Sequence, residues 1–286
     1  MPTNSMNLIP LKELPRIPKL TLAVVGHTEW VSFFRIDNYP LPGVISHGEE
    51  YREEPAGGGA VAAIEMRRLT RSKVHFFSAL GRDEIGEKSV SRLKELGIQT
   101  EIAWRDQPTR KGISMINAEG ERAITVLGDR LQPLGKDQLP WNEIKNCDGV
   151  FVTAADSEAL KICRKARIMV GTPRIGLNNF EDINIKLDAL IGSALDPNEK
   201  SLSNSLKHLA KTIIATEGAL GGESSPGGRF KAALLQAPVI DSYGCGDSFA
   251  AGVTTGLAAG WSIEQSISLG AHCGARCVQQ LGPYKR

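Results

Sequence analysis

Residues 241–252, Asp-Ser-Tyr-Gly-Cys-Gly-Asp-Ser-Phe-Ala-Ala-Gly, gather the groups with the clearest chemical use. Gly244 and Gly246 permit backbone shapes and close approach that side chains would obstruct. The small residues that follow predict a helix, with Asp247 at or near its start. Backbone N–H groups there, with the helix dipole behind them, favour a phosphate or a developing phosphoryl charge. A carboxylate beside an anion site repels phosphate and needs a purpose. Taking a proton from an attacking hydroxyl supplies one, and general base catalysis contributes ~10²–10⁴-fold. The competing purpose is structural: Asp247 caps the helix and nothing more.

The elements that must position this segment alternate in type. Apolar or β-branched runs at residues 20–25, 74–79, 149–153, 168–170, 187–191 and 212–215 predict strands. Several are near-continuous, as expected of parallel strands covered on both faces. Residues 84–96 predict a helix, with Ile85, Val90, Leu93 and Leu96 on one side and Gly97 to end it. Another begins near Ser262, which has capping-box spacing to Gln265. The alternation predicts an α/β fold: a doubly wound, mainly parallel central sheet with helices on both faces. Residues 29–55 and about 99–127 break the rhythm with strands and turns, including a hairpin around Ala118–Glu121. Together they predict a small β-sheet lid on a single domain spanning 1–286, and lids exclude water from reactive phosphates.

The bulk properties suit a soluble globular protein. The 286 residues carry 34 basic and 32 acidic side chains, a net +2, without the basic tract that tracks a nucleic-acid backbone. No apolar run is long enough to span a bilayer, and the proline-punctuated N-terminus reads as an extended arm, not a secretory signal. The five cysteines, 147, 163, 245, 273 and 277, form an odd, scattered set. They predict a reducing, cytoplasmic setting, with Cys273 and Cys277 buried in a helix instead of holding metal.

On these residues the chain resembles the ribokinase-like (PfkB) family of carbohydrate and nucleoside kinases, from about Leu22 to Gly282. Its Asp-Thr-x-Gly-Ala-Gly-Asp signature is matched by Asp241–Asp247, with Ser242 for Thr and Cys245 for Ala. The run Gly81-Arg82-Asp83-Glu84-Ile85-Gly86 matches a second motif, and Gly120-Glu121-Arg122 resembles the hairpin that precedes the return from the lid. The resemblance implies Asp247 as catalytic base, with the backbone of Gly244, Cys245 and Gly246 as the anion hole. It implies ATP as phosphoryl donor, with Thr216, Gly218, Asp196, Glu199 and His272 on the nucleotide side. Glu199 would meet Mg²⁺ through water, and Asp241 would lie near a monovalent-cation (K⁺) site.

The substrate side departs from that pattern. Gly26-His27-Thr28-Glu29-Trp30-Val31 stands where the family has Gly-Ser-x-Asn-x-Asp, and Ala56-Gly57-Gly58-Gly59-Ala60-Val61 where it has Gly-Gly-x-Gly-x-Asn. Two polar sugar contacts have become Val31 and Val61. A site built for hydroxyls loses strongly when such partners vanish. Glu29, Gly57, Gly58, Gly59 and Val61 remain the substrate-side positions, with His27, Trp30 and Asp37 as candidate replacements. Arg110 and Lys111, on a lid strand, could meet an acid group. The acceptor is a small-molecule alcohol, a sugar or nucleoside, and exposed lid edges allow a homodimer. The rival expectations are a non-catalytic ligand-binding or assembly protein and, more weakly, a dinucleotide-binding oxidoreductase, which lacks its glycine fingerprint after the first strand.

Overall fold

The computed structural model describes residues 5–120, 122–180, 183 and 185–285. The chain opens with β1 (Ser5–Met6) and β2 (Leu22–Val25), adds β3 (Glu29–Ile36) and β4 (Gly48–Ala56), then enters α1 (Gly58–Thr70). There follow β5 (Val74–Gly81), α2 (Glu84–Glu95) and β6 (Gln99–Arg105), and a second excursion, β7 (Lys111–Ile116) and β8 (Arg122–Leu127). The second half runs β9 (Gly149–Val152), α3 (Ser157–Cys163), β10 (Ile168–Gly171), β11 (Leu187–Ser193), α4 (Pro197–Leu206) and β12 (Ala210–Thr216). The hairpin β13 (Gly222–Ser225) and β14 (Gly228–Phe230) precedes the closing helices α5 (Cys245–Ala258) and α6 (Ile263–Cys277).

Ten strands form one sheet in the order β1-β14-β13-β12-β11-β10-β9-β2-β5-β6. From β12 to β6 every neighbouring pair is parallel. The strands are apolar throughout because both faces are covered. In β2, Leu22 and Val24 pack with Met66, Phe76 and Phe249, while Ala23 and Val25 face Phe77, Leu160 and Met169. Each fully buried aliphatic side chain of this kind contributes ~1.5–3 kcal/mol relative to exposure. Helices α1, α2, α5 and α6 supply residues to the first layer, α3 and α4 to the second.

The four remaining strands form a separate sheet, β4-β3-β7-β8. This is the lid, and one of its expected bounds needs correcting. Residues 99–105 are β6, paired in parallel with β5 in the main sheet, so the second lid excursion starts only at Lys111. Strand-like residues with no helix after them looked like lid, but an edge strand of the main sheet has the same local pattern. The short β1, parallel to β14, carries no period to read. Of the lid hairpin residues, Glu121 lies outside the described set.

Two side-chain caps fix element ends. Asp83 begins α2 by accepting the Gly86 N–H (2.7 Å), and also takes the Thr109 N–H (2.7 Å), stapling that helix to the approach to β7. Ser262 and Gln265 form the reciprocal capping box of α6. Cys273 and Cys277 are buried, and all five cysteines are free. Among the described residues no three His, Cys, Asp or Glu side chains gather as a metal site, and no helix is long and apolar enough to cross a membrane.

Candidate active site

The strand order turns back on itself between β2 and β9, and ligand crevices in such sheets form outside the carboxyl ends of strands at that switch point. Here β2 runs into Gly26 and His27, β9 into Thr153, β10 into Thr172 and Arg174, and β12 ends on Thr216. A Cβ on Gly26 would stand 2.1 Å from Thr153 Oγ1, and one on Gly59 would stand 2.8 Å from the His27 carbonyl oxygen. Only glycine lets the start of α1 close over the switch point. Gly57 caps that helix at φ 83°, a left-handed value that glycine adopts without strain.

Helix α5 brings Asp247 to the same place. Gly244 takes φ 75° and leads directly into the helix, and Asp247 is its third residue. No side chain caps α5, so Asp247 is not spent on that duty. Its carboxylate is 13% exposed, with Oδ1 at 3.9 Å from Arg174 Nη1. It lines a small cleft with Thr172, Arg174, Ser193, Glu199, Thr216 and Gly246. A Cβ on Gly58 would sit 2.7 Å from Asp247 Oδ1, so the first turns of α1 and α5 meet at this carboxylate. Burial raises the Asp247 pKa above the usual carboxylate range; Arg174 opposes that shift and Glu199 adds to it. A carboxylate so held accepts a proton more readily than one in water, as a base near neutral pH requires.

Gly58→Ala therefore makes a sharp test of position. Alanine suits a helix start without strain, so thermal stability should hold. The carboxylate must move, and displacements near 1 Å can cost ~10²-fold in turnover. Measuring kcat and the unfolding temperature together checks this; unchanged turnover would mean that the Asp247 position is not critical.

The other expected site residues fall into three groups. Thr216, Glu199, Gly246 and Asp247 share the cleft. Asp196 instead caps α4, its Oδ1 accepting the Asn198 (2.9 Å) and Glu199 (3.4 Å) N–H groups. Glu199 is buried, its Oε1 receiving Arg174 Nε (2.6 Å) and its Oε2 the Ser193 N–H (2.8 Å). Gly218 opens an exposed turn beyond β12. His272 does not line the cleft: its Nε2 lies 2.9 Å from the Ile9 carbonyl oxygen, tying α6 to the N-terminal segment.

Among the positions expected on the acceptor side, Val61 is buried. It packs with Val31, Phe33, Ala56, Ile116 and Tyr243 in an apolar cluster beneath the glycine loop. Glu29 is buried and committed to protein partners: Tyr243 Oη donates to its Oε1 (2.9 Å), and Arg110 Nε lies 3.2 Å from its Oε2. The same Tyr243 oxygen accepts the Gly57 N–H (3.1 Å). These bonds fasten the loop at Tyr243 to Glu29 and to Gly57 at the start of α1. Asp37 is exposed beyond the end of β3, and Lys111 is exposed on β7.

His27 is buried, with an unpartnered Nδ1. Burial first, and then Arg130, Arg174 and Arg110, push its pKa down to about 3, so it stays neutral. Burial also raises the Cys245 thiol, which disfavours a thiolate there. Asp241 is fully buried, its two oxygens accepting the Tyr243 and Gly282 N–H groups, each at 2.8 Å. With one N–H on each oxygen it clamps the loop, and each oxygen keeps a further lone pair.

Two arginines completing this site escaped sequence reasoning. Arg174 follows β10, and Arg130 lies in the connection after β8, its Nη2 donating to the Arg174 carbonyl oxygen (3.1 Å). From the lid, Arg122 reaches Ser242 Oγ (2.6 Å). The buried hydroxyls of Thr153 and Thr172 have no partner among the described residues, which suits a polar ligand at the strand ends.

Comparison with known proteins identifies the family and the fold. The model of the pfkB family carbohydrate kinases matches residues 19–169 and 184–285. The chain belongs to that family. A ribokinase of Lactococcus lactis is 24% identical over 281 residues, covering 91% of each chain. In fold the pfkB protein is similar to a microbiome-derived acarbose kinase, with TM-score 0.76, 21% identity and coverage of 94% of this chain and 96% of that one. It is also similar to Arabidopsis thaliana ribokinase solved with ribose and ATP, with TM-score 0.68, 18% identity and coverage of 93% and 94%. As a member, the chain is a kinase, and ATP as donor follows from the family.

Proposed function

We propose that this pfkB kinase transfers the γ-phosphoryl group of ATP to a hydroxyl of a sugar or sugar-like small molecule, with Asp247 as general base. The observation that carries the reading is the Asp247 carboxylate, free of any capping duty, standing where the first turns of α1 and α5 meet at the sheet's switch point. An acceptor hydroxyl lying against the glycines 57–59 gives its proton to Asp247 as its oxygen attacks. The N–H groups of Gly244, Cys245 and Gly246 receive the migrating phosphoryl group, and Arg174 offsets its charge. ATP lies toward Thr216 and Gly218, and magnesium enters as part of that substrate, meeting Glu199 through water. Each Glu199 oxygen already accepts one protein donor and keeps a lone pair with which to accept from such a water.

The reading extends to a cytoplasmic setting and to pairing of two copies through the lid. Ile124, Val126 and Leu127, exposed on the edge strand β8, support that pairing. The test is an ADP-release screen across sugars, nucleosides and polyols. ADP should form in step with phosphorylated acceptor. Ligand-induced stabilisation without any ADP would support the rival reading, a binding protein on a kinase fold.

A further inference from the structure

We infer that the acceptor carries a negatively charged group, a phosphate ester or a carboxylate, which Arg110 and Arg130 hold between the lid and the carboxyl ends of the central strands. The inference rests on the kinase reading and names the substrate class for that same site.

Charge bookkeeping around the strand ends carries it. Three guanidinium groups, Arg110, Arg130 and Arg174, act together on the buried ring of His27. Arg174 is matched, with Glu199 at 2.6 Å and Asp247 at 3.9 Å. Among the described residues the carboxylate paired with Arg110 is Glu29, at 3.2 Å, and the buried Arg110 Nε is not aligned to hydrogen-bond there. Glu29 also receives the Tyr243 hydroxyl, so its charge is already shared. Arg130 has no carboxylate within 4 Å among the described residues; its one hydrogen bond goes to a neutral carbonyl oxygen. It is half-buried, and burial and then the two neighbouring arginines pull its pKa below the usual arginine value, an effect that the more distant Glu29 only partly offsets. A half-buried cation held against two others is costly unless an anion completes the set.

Two observations separate this anion from the phosphates of ATP. Arg174 lines the cleft with Thr216 and Glu199, the nucleotide end. Arg110 instead contacts Glu29, which is tied through Tyr243 to the Gly57 N–H, at the acceptor end. Arg110 also immediately precedes β7, and Arg130 follows β8, so the lid's own ends present both cations. A neutral polyol gives those groups nothing to bind. A planar guanidinium pair matches a phosphate or a carboxylate bidentately.

The experiment pairs neutral and anionic acceptors on the full-length protein: ribose with ribose 5-phosphate, and glucose with gluconate. ADP release gives kcat and KM, and calorimetry gives binding irrespective of turnover. The anionic member of at least one pair should have a kcat/KM at least 100-fold above its neutral partner. Arg130→Gln should raise its KM tenfold or more while shifting the KM for ATP less than threefold. The phosphate and carboxylate arms show which anion is meant. Equal use of neutral and anionic acceptors would overturn the inference and leave the kinase reading standing. So would an Arg130→Gln effect falling on ATP instead. Anion binding that Arg130→Gln weakens, with no ADP from any acceptor, would support the subsite and sink the kinase reading. Absence of both binding and turnover with all four probes would overturn the inference.

Discussion

Asp247→Asn is expected to lower kcat by ~10²–10⁴-fold, the range over which positioned general bases act. ATP should still bind, because the substitution preserves shape and the anion loop is built from backbone. Single-turnover rates and nucleotide titration on one preparation check both halves. Turnover within tenfold of the parent would remove the base assignment.

The same substitution has a second readout that guards against simple misfolding. Burial raises the Asp247 pKa, so the folded state holds this proton more tightly than the unfolded chain does. Stability contributed by the protonated form is present at low pH and is lost as pH rises from the ordinary carboxylate range through the raised value. At neutral pH the ionised group therefore costs stability, and Asn, which cannot ionise, should unfold at a higher temperature than the parent. The difference should close at acid pH. A less active but more stable variant identifies a residue kept for chemistry.

How much of this site the sequence discloses depends on the range of the interactions. The anion loop is local: Gly244, Gly246 and Asp247 lie within four residues, and their spacing implies both a turn and a helix start. The sheet was legible for a similar reason, since strands buried on both faces leave unbroken apolar runs such as Leu22–Val25. The partners of Glu29 were not legible. Its sequence neighbours suggest a free ligand, whereas Tyr243, 214 residues away, already donates to it. Arg130 and Arg174 were missed because each is a single arginine in an irregular connection. Only the strand order brings them to one crevice. Residues 99–105 were placed in the lid because local pattern does not distinguish two sheets; pairing with β5 does.

Arg174 carries the other large expected effect, and its direction in pH makes it specific. Loss of one positioned charge or donor from a developing oxyanion typically costs ~10²–10³-fold in kcat, and Arg174→Gln should fall in that range. Arg174 also opposes the burial that raises the Asp247 pKa, while Glu199 adds to it. Without the guanidinium, the carboxylate should protonate at higher pH, moving the acid limb of the kcat/KM profile upward. Glu199→Gln removes the like charge and should move that limb down. Because Glu199 holds Arg174 Nε at 2.6 Å, the two variants perturb one another's partner, yet their shifts have opposite signs. General damage to the site would lower rates in both without separating their profiles. Shifts of the same sign, or none, would show that the titrating group in the profile is not Asp247.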